Sequence, residues 1–114
     1  MVKLESLKKS IQFKKTLKEK KVHSVFFSIF AAKNFYKPKY KTDLLISFVM
    51  KKKIGNAVKR NKIRRKLKAI VHKLLKIKGA INSNYTYIVF GKSKAYKEKH
   101  GILLSEMQKS FKKI

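Results

Sequence analysis

Apolar positions along the chain recur with two spacings, one typical of helices and one typical of strands. The longest helical pattern has apolar residues at i, i+4, i+7, i+8 and i+11, which places them on one face of a helix. They are Ile63, Leu67, Ile70, Val71 and Leu74. This stripe predicts a long helix from about Asn56 to Ile77, ended by Gly79.

Two shorter segments also show helical spacing. Ser10 is a suitable N-cap for a helix that runs to about Lys20, on which Phe13 and Leu17 share one face. The segment Gly101–Lys113 predicts a closing helix. Its apolar residues at i, i+4 and i+8 are Leu103, Met107 and Phe111.

Three segments rich in β-branched and aromatic residues predict strands: His23–Ala32, Asp43–Met50 and Tyr85–Gly91. The stretch around Pro38 predicts a loop between the first two. Because side chains alternate along a strand, the first strand has a mixed polar and aromatic face formed by Ser24, Phe26, Ser28 and Phe30. The corresponding alternate positions of the second strand are Leu45, Ser47, Val49 and Lys51.

The element order α-β-β-α-β-α predicts an α/β (α+β sandwich) fold, a single mixed sheet of about four strands with helices packed on it. The strands that flank the long helix are the natural parallel pair of a βαβ unit. With 114 residues, the chain has the length of a single domain, here residues 1–114.

Charge narrows the choice of partner. The chain has 32 Lys and Arg against five acids, a formal net charge of +27, which disfavours the compact state unless a polyanion such as nucleic acid relieves the repulsion. A base-composition bias in the coding sequence is an alternative source of the lysines, so the positions of particular residues are more informative than the total.

Other totals concern compartment and chemistry. The absence of cysteine excludes disulfides and fits a reducing cytoplasm. We expect no signal peptide, and no apolar run is long enough to cross a membrane. The five scattered acids and three separated histidines offer no paired carboxylates and no nucleophile–base pair, so we predict no active site in the protein alone.

All three arginines of the chain lie within one short stretch of the predicted long helix: Arg60, Arg64 and Arg65. The planar guanidinium can hold a phosphate through two hydrogen bonds, whereas a lysine offers a point charge. Simple solvation explains a lysine-rich face, but it explains three clustered arginines poorly. Gly55 and Asn56 at the helix start also suit a close approach of phosphate.

The second candidate surface is aromatic. Phe13 and Leu17 of the first helix are expected to face Phe26 and Phe30 of the first strand, forming a groove where unpaired bases stack. Lys51 and Lys53 would place charge at its rim. Ordinary core packing stays open as the alternative for each of these apolar side chains.

The stretch KKIGNAVKRNKIRRKLK, residues 52–68, resembles the signature of the protein subunit of bacterial ribonuclease P. The matching motif is a lysine pair, a glycine, and Arg-Asn-x-x-Arg-Arg on a helix. These residues are Lys52, Lys53, Gly55, Arg60, Asn61, Arg64 and Arg65. The stretch LKKSIQFKKTL, residues 7–17, is similar to the start of the same family.

The resemblance implies a function and a topology. The protein would be the small subunit of a cytoplasmic ribonucleoprotein that removes the 5′ leader from precursor tRNA, while the RNA subunit performs the hydrolysis with Mg²⁺ bound through that RNA. The resemblance also implies a left-handed βαβ crossover, an exception to the usual hand. Its partners would be the catalytic RNA and precursor tRNA, with no membrane and no protein partner implied.

Two sets of residues are assigned through the resemblance. Those expected to bind the RNA subunit are Lys52, Lys53, Asn56, Arg60, Asn61, Lys62, Arg64, Arg65 and Lys68. Those expected to line the leader-binding cleft are Phe13, Leu17, Phe26, Phe30, Val49 and Lys51. The chain departs from the family pattern at Val49 and Lys51, where small Ser-type residues are usual, and at Lys68, where Arg is usual. The alternative hypothesis is a ribosomal or general structural RNA-binding protein.

Overall fold

Five strands and three helices form within residues 4–5, 10–33, 44–77, 79–82 and 84–114, the parts of the chain that the computed structural model describes. They are β1 (Leu4–Glu5), α1 (Ser10–Thr16), β2 (Lys20–His23), β3 (Phe27–Lys33), β4 (Leu44–Val49), α2 (Ala57–Leu75), β5 (Tyr85–Gly91) and α3 (His100–Lys112). Short 3₁₀ turns at Lys52–Ile54 and Ser93–Ala95 follow β4 and β5. The predicted loop around Pro38 lies outside the described residues.

The strands form one mixed sheet in the order β1-β4-β5-β3-β2. Strand β4 pairs in parallel with β1 and β5, whereas β3 pairs antiparallel with β5 and β2. Helix α2 connects the parallel neighbours β4 and β5. The predicted α+β fold with a mixed sheet is therefore confirmed, and the left-handed crossover stays a prediction.

The N-terminal part differs from the pattern-based expectation. The predicted strand His23–Ala32 is part of a hairpin, in which β2 pairs with β3 and residues 24–26 form the turn. Helix α1 ends at Thr16 rather than at about Lys20, because Lys20–His23 is the strand β2. The hydroxyl of Ser24 accepts the backbone N–H of Phe26 at 3.1 Å, which stabilises a tight turn that contains neither glycine nor proline.

Helices α2 and α3 cover one face of the sheet and bury the core between them. The predicted stripe of α2 is completely buried there, and Phe111 of α3 packs edge-on to Tyr87 of β5 at 5.1 Å between ring centres. Each fully buried Leu or Ile contributes about 1.5–3 kcal/mol relative to an exposed position. No helix in the described part of the chain is both long and apolar enough to cross a bilayer.

One glycine allows α2 to lie close to the sheet. Gly91 ends β5 on the face that α2 covers, and a Cβ built there would collide with the Met50 side chain and approach Ile63 Cγ2 to 2.8 Å. Only a residue without a side chain fits this spacing. The helix itself begins as predicted, because Asn56 is its N-cap and accepts the backbone N–H of Lys59 at 2.9 Å.

Candidate nucleic-acid interface

A cleft of about 470 Å³ opens on the sheet face opposite α2 and α3. Helix α1 packs on β3 and β5, and Leu17, just after α1, reaches the cleft with 40% of its surface exposed. The cleft is lined by Leu17, His23, Ser28, Phe30, Lys51, Lys53, Ile54, Phe90, Gly91, Lys92 and Ser93. Its residues come from four separate segments of the chain, which explains why no single sequence window defines it.

The floor of the cleft follows from strand register. His23, Ser28 and Phe90 are direct neighbours on β2, β3 and β5, so their side chains stand in one row across the sheet. Phe30 lies in the next row and packs edge-on to Phe90 at 5.4 Å and to His23 at 5.9 Å. His23 Nδ1 and Ser28 Oγ share a hydrogen bond of 2.7 Å. The floor therefore combines aromatic rings with one polar pair.

The rim of the cleft is basic. The Lys51 ammonium lies over the ring of Phe90, 5.8 Å from its centre. Lys92 donates a 2.6 Å hydrogen bond to the Ser24 carbonyl, and Lys53 contributes a third ammonium. Unpaired bases can stack on such a floor while the phosphates that connect them lie near the basic rim. The cleft is therefore suited to single-stranded nucleic acid.

The structure brings together only some of the residues predicted for the cleft. Leu17, Phe30 and Lys51 line it. Phe13 on α1 and Val49 at the end of β4 are both half-buried and lie outside the lining. Phe26 lies in the β2–β3 turn and packs against the core instead.

Sequence reasoning did not single out three residues of the cleft floor for this role: His23, Ser28 and Phe90. Strand alternation could have indicated two of them. Ser28 shares the mixed face with Phe30, and Phe90 alternates with the core residue Val89. Nothing local indicates His23, because its strand β2 is mostly polar and exposed.

Helix α2 carries the arginines toward solvent. Arg65 and Asn61 are exposed, and Arg64 donates from one terminal nitrogen to Asn61 Oδ1 at 2.8 Å. Arg60 is half-buried and donates from Nε to the Asn56 carbonyl at 3.4 Å. Because each of these hydrogen bonds uses only one nitrogen, Arg60 and Arg64 keep further donors for a ligand.

The lysines on the other flank of α2 contact a neighbouring segment instead. Lys66 Nζ donates to three backbone carbonyls, those of Ala95 at 3.1 Å, Tyr96 at 2.8 Å and Glu98 at 2.8 Å. Burial lowers the pKa of Lys66, the nearby charge of Lys62 lowers it further, and Glu98 acts in the opposite direction. Lys66 is therefore a structural cation that holds residues 95–98 against α2.

The remaining residues predicted to bind the RNA subunit lie in the turn before α2, at its N-cap and along the helix. Lys52 and Lys53 lie in the 3₁₀ turn after β4, and both are exposed. Asn56 caps α2, while Lys62 and Lys68 are exposed along it. Lys53 also lines the cleft, so the predicted set and the cleft meet at this turn.

The described residues contain no group of three His, Asp or Glu side chains that could hold a metal ion.

The comparisons with known proteins first define a structural class. The fold is similar to that of the ribonuclease P protein from Thermotoga maritima, with a TM-score of 0.75 and 23% identity over 96% of this chain and 97% of that one. It is also similar to a ribonuclease P protein from Staphylococcus aureus, with a TM-score of 0.68 and 23% identity over 94% and 92% of the two chains. The molecule has the fold of bacterial ribonuclease P proteins.

The sequence then establishes the family. The Ribonuclease P family model matches residues 1–114, and the chain belongs to this family. Among curated proteins, the sequence has no match. The resemblance found in residues 52–68 is thereby confirmed over the chain as a whole.

Proposed function

We propose that this chain is the protein subunit of the ribonuclease P ribonucleoprotein, an endoribonuclease in which the RNA subunit carries catalysis. The protein binds the catalytic RNA through α2 and the 5′ leader of precursor tRNA in the cleft, in the cytoplasm. The observation that carries this proposal is the position of the family's arginine motif. Its three arginines lie on the N-terminal half of α2, with guanidinium donors left for a ligand.

The helix anchors the protein to RNA by geometry as well as by charge. Arg65 is exposed, and Arg64 is oriented by Asn61, so each can hold a phosphate through two hydrogen bonds. The exposed start of α2 adds the positive end of the helix dipole. These features favour a folded RNA whose phosphates have fixed positions.

The cleft binds a different form of RNA. Phe30 and Phe90 provide ring faces and edges at its floor, and the ammonium of Lys51 lies beside them. Unpaired bases stack on such rings with little sequence preference, at about 1–3 kcal/mol per base. A leader is single-stranded and is absent from mature tRNA, so a filled cleft favours substrate over product.

Magnesium enters this proposal through the RNA subunit, which would hold it and supply the hydrolytic chemistry. The protein's contribution is positive charge, which reduces the repulsion between RNA phosphates. The assembled particle then needs less bulk Mg²⁺ to stay folded.

The test is reconstitution of cleavage at low Mg²⁺ with purified protein and RNA subunit. We expect the protein to stimulate leader removal strongly and to show no nuclease activity alone. A protein that fails to stimulate the RNA subunit would contradict the proposal.

A ribosomal or general RNA-binding protein is the second candidate, and the formal charge of +27 favours it because so many lysines attract any RNA. The two functions differ in one measurement. A general binder has equal affinity for precursor and mature tRNA in the presence of the RNA subunit, whereas the proposed subunit prefers the precursor.

A further inference from the structure

The segment after β5 places one aromatic ring beside two lysines of α2. The ammonium of Lys62 lies over the ring of Tyr96, 4.8 Å from its centre, and that of Lys59 lies 5.3 Å from the same centre. The electron-rich ring face attracts both cations. We call Tyr96, Lys59 and Lys62 the Tyr96 site.

The Tyr96 site is held in place by the rest of the segment. The three carbonyl contacts of Lys66 fix residues 95–98 on α2. Tyr96 is half-buried and packs against the core, while Lys59 donates to Ser93 Oγ at 2.8 Å. The ring and one of the two ammoniums therefore have defined positions before any ligand arrives.

The two ammoniums of the Tyr96 site lack a facing carboxylate. Within the described residues, neither Lys59 nor Lys62 forms an ion pair. Glu98, two residues after Tyr96, accepts the backbone N–H of Lys99 at 2.9 Å. Two like charges beside one ring repel each other, and an anion placed between them removes that repulsion. Lys59 also lies in the first turn of α2, where the helix dipole favours an anion.

The Tyr96 site is continuous with the cleft. Ser93, which accepts the hydrogen bond from Lys59, is itself a lining residue of the cleft, as is the preceding Lys92. On α2, Lys59 and Lys62 lie on the flank opposite Arg60 and Arg64 at about 100° per residue. A single-stranded RNA that leaves the cleft past Ser93 thus reaches the Tyr96 site without crossing the flank of α2 that carries Arg60 and Arg64.

We propose that the Tyr96 site binds a backbone phosphate of the single-stranded leader where the leader leaves the cleft. This inference rests on the proposed function and extends it, because it adds a leader contact outside the cleft. The two ammoniums share the phosphate oxygens, and the ring of Tyr96 keeps them at the required spacing. Tyr96 is thus a positioning residue, and Lys59 and Lys62 are the phosphate ligands. This assigns Lys62 to the leader, whereas the family resemblance predicts it to bind the RNA subunit.

The experiment compares precursor tRNAs with leaders of increasing length, bound to the holoenzyme assembled with wild-type or variant protein. The variants are Tyr96→Leu, which removes the aromatic face, and Lys59→Gln, which removes the ammonium beside Ser93 and leaves the core untouched. We expect wild-type affinity to rise in a step once the leader reaches the Tyr96 site. Both variants should lose that step, roughly three- to tenfold in affinity, and bind shorter leaders normally.

Matched controls separate the site from general charge and from folding. Tyr96→Phe keeps the ring and should keep the step. Lys73→Gln removes an exposed lysine farther along the same flank of α2 and should keep it as well. The salt dependence gives a second readout, since each lost single-strand phosphate contact lowers its slope by about 0.7.

Three results would overturn the inference, and they differ from one another. Variants that retain the full step show that the Tyr96 site does not bind the leader. Variants that weaken binding of the RNA subunit itself, equally for every leader length, show that the catalytic RNA occupies the site. If wild-type protein neither stimulates cleavage nor distinguishes precursor from mature tRNA, the proposed function fails together with the inference.

Discussion

The two flanks of α2 carry similar charge but use it differently. On one flank, Lys66 donates to three carbonyls of the segment after β5, and its ammonium is directed into the protein. On the other flank, the hydrogen bond of Arg64 within the described residues goes to Asn61 of its own helix, and further donors remain for a ligand. Lys66 therefore stabilises the fold, whereas Arg64 keeps donors for a partner.

This difference follows from the shapes of the two cations. Three carbonyl oxygens that converge on one point suit a compact ammonium with three donors. A guanidinium has five donors in a plane, so one intramolecular bond leaves enough for a bidentate contact with phosphate. Some lysines of this chain are therefore structural, and the total charge overstates how many of them contact RNA.

The largest expected effect is a loss of stability, and it tests the structural role of Lys66. Lys66→Met keeps the aliphatic stem and removes the ammonium from three carbonyls, so we expect a loss of about 2 kcal/mol in the free energy of unfolding. Arg65→Met is the matched control on the exposed side and should change stability by less than about 0.5 kcal/mol. Urea denaturation measures the free energy of unfolding of both variants, and equal losses would show that Lys66 has no special structural role.

The next effect is a loss of affinity for the RNA subunit, and it tests the exposed arginines of α2. Arg65→Ala should weaken binding to the RNA subunit about tenfold at fixed salt, because it removes charge-assisted hydrogen bonds to phosphate. Lys18→Ala removes an exposed lysine outside both proposed surfaces and should have little effect. Titration of labelled RNA subunit gives both dissociation constants, and similar values would contradict a specific role for the arginines.

A smaller effect compares the two faces of the sheet. Phe30→Ala removes a ring from the cleft floor and should lower the preference for precursor over mature tRNA about fivefold, near the lower end of base-stacking energies. Phe26→Ala removes a ring that packs against the core, so stability should fall while the preference per folded molecule stays unchanged. Competition binding measures the preference, and a loss in Phe26→Ala as large as that in Phe30→Ala would refute the cleft assignment.

The smallest effect is a pH dependence of stability from Lys66. Its pKa is lowered from 10.5 in the folded state, mainly by burial, so the unfolded state binds more protons between the lowered value and 10.5. The contribution of Lys66 to stability should therefore rise with pH in that window. The readout is the unfolding free energy of wild type minus that of Lys66→Met, which cancels other groups such as Tyr87, whose pKa burial raises. A difference that falls over this window would contradict the assigned sign.

Periodicity predicted the regular parts of the fold well. The stripe from Ile63 to Leu74 predicted α2 within two residues of its ends, and β5 and α3 were placed within one residue of theirs. These segments bury one continuous face, so their apolar spacing directly reflects the structure. The family motif could be read for a similar reason, since its residues are close together in the chain.

The hairpin and the cleft could not be predicted in the same way. Strand β2 reads Lys-Lys-Val-His and is mostly exposed, so its pairing with β3 leaves no apolar pattern in the sequence. Phe90 and His23 reach the same cleft because β5 and β2 pair with opposite edges of β3, and Phe90 is far from both in the sequence. The partners of Lys66 are backbone carbonyls about thirty residues away, and carbonyls have no signature in a sequence.

Gly91 couples the cleft on one face of β5 to the packing of α2 on the other face, so substitutions on the two sides should depend on each other. Phe90 faces the cleft, while the missing side chain of its neighbour lets Met50 and Ile63 approach β5 from the other side. In related chains, a larger residue at position 91 should therefore occur together with a smaller one at position 50 or 63. Substitutions at the three positions should therefore be correlated, and together they would preserve the distance between α2 and the cleft floor.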